Sequence, residues 1–461
     1  MANEYSLPTI KPQYYGLRNI DSIPQLRVLP DEQREDMKAV AQVLPFRVNN
    51  YVINELIDWD QVPDDPIFQL TFPQPGMLNE TQLSQVKAAL RPDSTDIELA
   101  AVVRSIRAEL NPHPEGQLTC NVPRLDGEVV AGVQHKYRET CLVFPSAGQT
   151  CHSYCTFCFR WAQFVGDQSL KFATDESMRF QDYLRQHTEI TDVLLTGGDP
   201  MVMNASMLAR YVEPLLGPEF SHIHTIRIGT KSLSYWPYRY LTDRDSGSLL
   251  HLLKRVVACG KHIAIMAHFN HANELRPRIV ADAIARIQAT GAIIRTQSPI
   301  VRPINDNIEA WVQMWQQQVT LGLVPYYMFV ERDTGAKHYF RLPLERALQI
   351  YREATSQVSG IARTARGPVM SALPGKVAID GIAEINGQKV FVLSFLQARN
   401  PAWCKQPFFA RFDPEACWLN DLRPAFGEPE FFFESELRGM FGVSKTSEGA
   451  APSQINPVIA S

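Results

Sequence analysis

Cys151, Cys155 and Cys158 stand in CHSYCTFCFRW, three thiols within eight residues at C-x3-C-x2-C spacing, while Cys120, Cys141, Cys259, Cys404 and Cys417 are scattered. Three thiolates can hold three irons of a [4Fe-4S] cluster and leave the fourth iron open to an outside ligand, whereas a structural zinc closes its shell with four protein ligands. His152 adjoins the first cysteine and is poorly placed as a fourth ligand. The triplet therefore predicts an iron–sulfur site with one open iron. Farther along, LLTGGDP (194–200) sets Gly197, Gly198 and Asp199 directly after an apolar run. Backbone without Cβ atoms can approach a ligand there and offer its amides. AHFNHANE (267–274) places a polar cluster with His268 at the end of another apolar run, and Gln297 lies in the next.

The rest of the chain narrows the class. Its 461 residues are 45% hydrophobic and 20% charged, enough to bury a large core. With 45 Lys and Arg against 49 Asp and Glu the formal charge is −4, so nothing draws the whole chain to nucleic acid or an anionic membrane. No stretch approaches the ~20 uncharged apolar residues of a bilayer span. The start, MANEYSLPTIKPQYYGLRNI, shows no basic segment followed by an apolar one. Eight cysteines are too few for a disulfide scaffold. We expect a soluble, cytoplasmic protein with no nucleic-acid or membrane partner.

Elements able to hold such residues follow in order. The short apolar runs CLVF (141–144), DVLLT (192–196), HTIRIG (224–229), HIAIMAHF (262–269), AIIRTQ (292–297) and PYYMFV (325–330) alternate with helical stretches at 175–188, 204–216, 246–260, 276–291 and 307–322. The last two stretches carry apolar residues at helical spacing and end in Gly. Repeated β/α units predict an α/β barrel or an open parallel sheet with function at the C-terminal ends of the strands. Upstream, NETQLSQVKAALRP and STDIELAAVVRSIRAEL read as helices, the first capped by Asn79 or Thr81 and stopped by Pro92. The expected layout is an extended N-terminal arm over 1–50, a helical cap over 51–130, the β/α body over 131–395, an aromatic-rich extension over 396–440 and a disordered tail over 441–461.

The cysteine triplet is the signature of the radical S-adenosylmethionine (SAM) superfamily, which the chain resembles. LLTGGDP, IRIGTKS (226–232), AHFNHANE, RTQSPIVRPIND (295–306) and PYYMFVERDTGAKHYFR (325–341) follow it in the order of the lysine 2,3-aminomutase family, and the likeness runs from about residue 60 to 395. That resemblance implies a partial (β/α)6 radical SAM barrel and a [4Fe-4S] cluster on Cys151, Cys155 and Cys158. It also implies SAM held with the help of Gly197, Gly198, Asp199, Lys231, His268 and Gln297. In such enzymes one electron from the cluster cleaves SAM to a 5′-deoxyadenosyl radical, which takes hydrogen from the β-carbon of an amino acid. Pyridoxal 5′-phosphate (PLP) carries the amino group as it migrates, so the implied activity is that of an aminomutase-like isomerase. A small-molecule amino acid substrate and an external electron donor of flavodoxin or ferredoxin type go with this chemistry, and a homo-oligomer is compatible with it.

Within the resemblance, Lys376 in SALPGKVAIDG matches the PLP lysine, seventeen residues after Ser359 of an SG pair, although the family's glycine run is here ALPG. Lys136 and Tyr137 in HKYRET (135–140) match phosphate and ring contacts, with Thr140 where the family has a second Arg. Arg160 matches the arginine that clamps the substrate carboxylate. The two aspartates that read lysine's distal ammonium fall at Arg332 and Val369, with Ser371 close to the second and with Glu331 and Asp333 flanking the first. An ammonium facing Arg332 without counter-charge would be repelled, so an acidic or neutral side chain suits the pocket better than lysine. The family's interface zinc is not expected, since Asn307 stands at its first cysteine. Two other readings stay open. One is a PLP-independent radical SAM dehydrogenase, deaminase or peptide-modifying enzyme, which the altered SALPGK and Thr140 favour. The other is an iron–sulfur electron-transfer or sensor protein, which would leave the SAM-like blocks unexplained.

Overall fold

The computed structural model describes residues 10–441. Its N-terminal part holds α1 (Asp31–Val43), α2 (Glu80–Ala89) and α3 (Asp96–Glu109). An extended arm was the expectation for 1–50, and within the described residues it is corrected. Met37, Val40 and Val43 recur every third residue of α1 and bury one face of it in the core of the N-terminal part, where α1 packs against α2 and α3. Asn79 caps α2, accepting from Gln82 N at 2.8 Å, and that helix ends before Pro92. The expected disordered tail over 441–461 lies, apart from its first residue, outside the described residues.

Each of the six apolar runs forms a strand of one eleven-stranded sheet. The strands are β1 (Val133–Tyr137), β2 (Thr140–Val143), β3 (Asp192–Leu195), β4 (Thr225–Thr230), β5 (His262–His268), β6 (Ile293–Ile300), β7 (Val324–Val330), β8 (Arg366–Ser371), β9 (Gly375–Ile385), β10 (Gln388–Ala398) and β11 (Pro407–Arg411). They lie side by side in chain order. β2 to β8 pair in parallel, and β1 and β9 to β11 add antiparallel edges. Parallel neighbours need crossovers, supplied by α4 (Ser177–Gln186), α5 (Ala205–Val212), α6 (Ser246–Ala258), α7 (Arg278–Gln288), α8 (Ile308–Thr320) and α9 (Leu344–Ser356). The expected boundary at 395 therefore cuts through the sheet, because β10 runs on to Ala398 and pairs with β11.

In a flat sheet a strand spacing of ~4.8 Å would put β1 and β9 roughly 38 Å apart. Lys376 Nζ on β9 instead lies 5.1 Å from the ring centre of Tyr137 on β1. The sheet is curled until its first and ninth strands face each other across an interior. Among the described residues no backbone ladder closes the ring, and none of the helices is long and apolar enough to cross a membrane.

Candidate active site

A cavity of about 310 Å³ occupies the inside of the curl, and every residue expected to act there except Val369 reaches its wall. Val369 is fully buried against Tyr327 and Ala378, so of the two neighbours at that position Ser371 is the one that faces the cavity.

The cysteine loop is held from two sides. From the N-terminal part, the Arg47 carbonyl accepts from Tyr154 N at 2.8 Å, the Leu70 carbonyl accepts from Thr156 N at 2.9 Å, and Asn49 Nδ2 donates to the His152 carbonyl at 3.0 Å. From the β3 end, Asp199 N donates to the Thr150 carbonyl at 2.7 Å. A Cβ on Gly198 would stand 2.5 Å from Thr150 N and O, and Gly197 has φ +136°. The close approach these glycines permit is thus to the chain's own cysteine loop. Asp199 is likewise committed, accepting from Thr230 Oγ1 at 2.6 Å, from Lys231 N at 2.9 Å and from Met201 N at 2.9 Å. Its carboxylate thereby ties the ends of β3 and β4 together at the cavity, whose wall includes Asp199.

Burial raises all three thiols of the triplet, Cys158 up to about 12. Such a site favours thiolate only with a strongly cationic occupant. Among the described residues the three sulfurs do not all lie within 4.8 Å of one another, whereas thiolates on a single zinc sit ~3.8 Å apart. His152 is turned away, stacked on Trp236 with ring centres 6.4 Å apart.

On the neighbouring strands β5 and β6, His268 and Gln297 are register partners, and Gln297 Nε2 donates to His268 Nε2 at 2.7 Å. Burial, with the Lys231 charge, lowers His268 to about 3, which keeps the imidazole neutral. Lys231 Nζ forms a buried ion pair with Glu274 and donates to Asn270 Oδ1 at 2.8 Å. Its ammonium therefore holds the AHFNHANE turn while Lys231 lines the cavity. Glu274 was not singled out from the sequence, because nothing in that block shows that this acid, fully buried, is the one that meets a lysine.

The other end of the cavity collects cations. Lys376 Nζ sits between the rings of Tyr137 and Tyr327, 5.2 Å from the latter, and donates to Gln397 Oε1 at 2.8 Å. Burial, reinforced by Arg227 and Arg366, lowers this amine to about 7. Lys136 donates to the Ala372 carbonyl, and the buried Tyr137 hydroxyl makes no hydrogen bond of normal geometry among the described residues. Thr140 donates to Asp192 at 3.1 Å, and Asp192 is also paired with Arg227. Arg160 lies over Phe144 at 4.1 Å; burial and then Arg332 lower its guanidinium to about 9. Arg332 lies over Phe159 at 4.2 Å and donates to Ser371 Oγ at 3.1 Å. Neither guanidinium has a carboxylate partner within 4 Å among the described residues. Of the flanking acids, Asp333 pairs with Lys337 away from the wall, whereas Glu331 faces the cavity and burial raises it to about 8.

No family model matches the chain. It is 30% identical over 425 residues, 92% of this chain and 99% of the relative, to the "Putative L-lysine 2,3-aminomutase" of Aquifex aeolicus. It is 28% identical over 247 residues to the L-lysine 2,3-aminomutase of Haemophilus influenzae, covering 53% of this chain and 68% of that one. The L-lysine 2,3-aminomutase of Clostridium subterminale matches at 25% over 232 residues, 50% of this chain and 52% of its own. Among solved structures, a radical SAM methyltransferase from Sphaerobacter thermophilus aligns with 62% of this chain and 88% of that one, at a TM-score of 0.36 and 14% identity.

Proposed function

The chain belongs to the lysine 2,3-aminomutase family of radical SAM enzymes, and from that premise we propose that it moves the amino group of an amino acid other than lysine between carbons 2 and 3. One observation supports this reading above the rest. A single cavity holds three clustered thiols, the near-neutral amine of Lys376, and two guanidiniums without carboxylate partners among the described residues.

When bound, the cluster and SAM supply radical initiation and PLP supplies a carrier for the amino group. The chain's own residues do the rest. Cys151, Cys155 and Cys158 hold iron, with the loop braced by Gly198 and Asp199. The neutral His268 and Gln297 pair offers fixed polar atoms beside it. Lys376 presents an amine that is about half unprotonated at neutral pH, and the unprotonated form is the one that adds to an aldehyde. Arg160 takes the substrate α-carboxylate, and Arg332 with Ser371 faces the distal group, which suits an acidic or neutral side chain. The apolar walls around Phe157, Phe159 and Tyr327 exclude water from these contacts.

The test is anaerobic reconstitution with iron and sulfide, then SAM, dithionite, PLP and candidate amino acids. Formation of 5′-deoxyadenosine together with a β-amino acid from an acidic or neutral substrate is the expected result. Efficient conversion of lysine to β-lysine would overturn the substrate assignment.

A second reading, a PLP-independent radical SAM enzyme, is favoured by Thr140 and Arg227 both being bound to Asp192, which leaves a phosphate short of one cation. SAM cleavage at full rate with no lysine-bound pyridoxal absorbance after PLP loading would select it.

A further inference from the structure

We propose that His135, His187 and Glu189 form a divalent transition-metal site of zinc type on the outer side of the edge strand β1. They are the one trio of His, Cys, Asp and Glu side chains among the described residues whose donor atoms all lie within 4.8 Å of one another. The three come from different elements. His135 is on β1, His187 is the C-terminal cap of α4, and Glu189 lies in the turn leading to β3.

The tautomer of His135 is fixed by its surroundings. Its Nε2 lies 3.0 Å from the Arg138 carbonyl, which can only accept, so Nε2 carries the hydrogen and Nδ1 keeps its lone pair. That arrangement, one ring nitrogen donating to a backbone carbonyl and the other free to ligate, is how metal-binding imidazoles are oriented. In the metal-free chain the lone pair accepts from the Tyr183 hydroxyl at 2.7 Å. His187 Nδ1 is 2.9 Å from Glu189 Oε1, and the two imidazoles meet at 76° with centres 5.9 Å apart. Donors on a tetrahedral zinc are ~3.3 Å apart, so small side-chain shifts complete the set. Two imidazoles and one carboxylate favour zinc and its neighbours over calcium or magnesium, which want oxygen. Water or the Tyr183 hydroxyl fills the fourth position. Bound metal would cross-link β1, α4 and the start of β3 behind Lys136 and Tyr137, whose side chains reach the cavity.

The test uses the full chain carrying Cys151→Ala, Cys155→Ala and Cys158→Ala, so that the triplet cannot compete. After chelator treatment, calorimetry with zinc should show one bound equivalent, and cobalt should give d–d bands without sulfur-to-cobalt charge transfer. Adding His187→Ala should weaken zinc at least about 100-fold and Glu189→Gln roughly 10-fold or more. Should His187→Ala fail to fold, zinc protection of His187 from diethylpyrocarbonate in the parent chain gives the same decision. No stoichiometric zinc, unchanged affinity in both variants, absent protection or a sulfur band would each overturn the proposal. None of these outcomes depends on the aminomutase reading, because none measures turnover.

Discussion

The amine of Lys376 faces the ring of Tyr137 at 5.1 Å, a contact between the ninth strand and the first that exists only because the sheet curls. Burial there lowers the amine to about 7, against ~10.4 for an ordinary lysine. At pH 7 about half of Lys376 is the free base, while exposed lysines are protonated almost completely. Borohydride reduction after PLP incubation should therefore mark Lys376 far ahead of the other lysines, with half-maximal labelling near pH 7, read by peptide mass spectrometry. Labelling spread evenly over surface lysines, or rising only above pH 9, would contradict the assignment.

The same shift has a sign for stability. Between about pH 7 and 10 the unfolded chain holds a proton on Lys376 that the folded chain has released, so folded stability rises with pH across that window. Below it the folded state carries the full cost of a buried ammonium. A Lys376→Met variant should therefore gain most in melting temperature over the parent at pH 6 and least at pH 10. An equal difference at both ends would show that the amine is solvated.

Gly198 and Thr150 are in direct backbone contact, so Gly198→Ala must push the cysteine loop away from β3. Overpacking of this kind costs about 1 to 3 kcal/mol. Iron per chain after reconstitution should fall along with the melting temperature, since the displaced loop carries Cys151. Full iron loading in Gly198→Ala would show that the loop is not braced from that side.

Cys155→Ala should abolish SAM cleavage, because its thiol faces the cavity; it also takes the 3.4 Å partner from the buried Tyr235 hydroxyl, so the variant's melting temperature is measured alongside. Assay of 5′-deoxyadenosine in the dithionite-reduced variant decides the point. Cleavage retained with full iron content would exclude Cys155 as a ligand.

The β/α units are legible in the sequence because a short apolar run such as DVLLT and an amphipathic stretch such as RPRIVADAIARIQATG have different periods, and each period sets its own element. The triplet, LLTGGDP and AHFNHANE are legible as clusters because they sit where such runs end. What the chain hides is whatever depends on two distant segments meeting. Gln397 reaches Lys376 only through the register of β9 with β10, and Asn49 reaches the cysteine loop only because the N-terminal part folds onto it. α1 escapes notice because its sequence DEQREDMKAVAQV is charged at one end and carries small apolar residues at the other. The choice among Glu331, Arg332 and Asp333 is hidden for another reason. It depends on where the pleat of β7 gives way to a turn, and a shift of one residue there exchanges inside for outside.

Arg160 and Arg332 stand on the ring of Phe159, at 5.1 and 4.2 Å from its centre, and burial, followed by the Arg332 charge, lowers the tendency of Arg160 to stay charged. Two like charges held this close without carboxylates of their own favour a ligand that brings two. An amino acid with an acidic side chain does so, one carboxylate for each guanidinium. A charge-assisted pair at Arg332 is worth about 1.5 to 3 kcal/mol, or roughly tenfold to a hundredfold in kcat/KM. Arg332→Asp should therefore lose that factor on an acidic substrate and bring a carboxylate, with Glu331 beside it, to face a distal ammonium. Arg160→Lys keeps the charge but loses the bidentate geometry, so it should weaken all amino acid substrates alike. Comparing kcat/KM for an acidic, a neutral and a basic amino acid across these two variants separates the roles. A uniform loss in Arg332→Asp, with no change in preference, would show that the distal group is read elsewhere in the cavity.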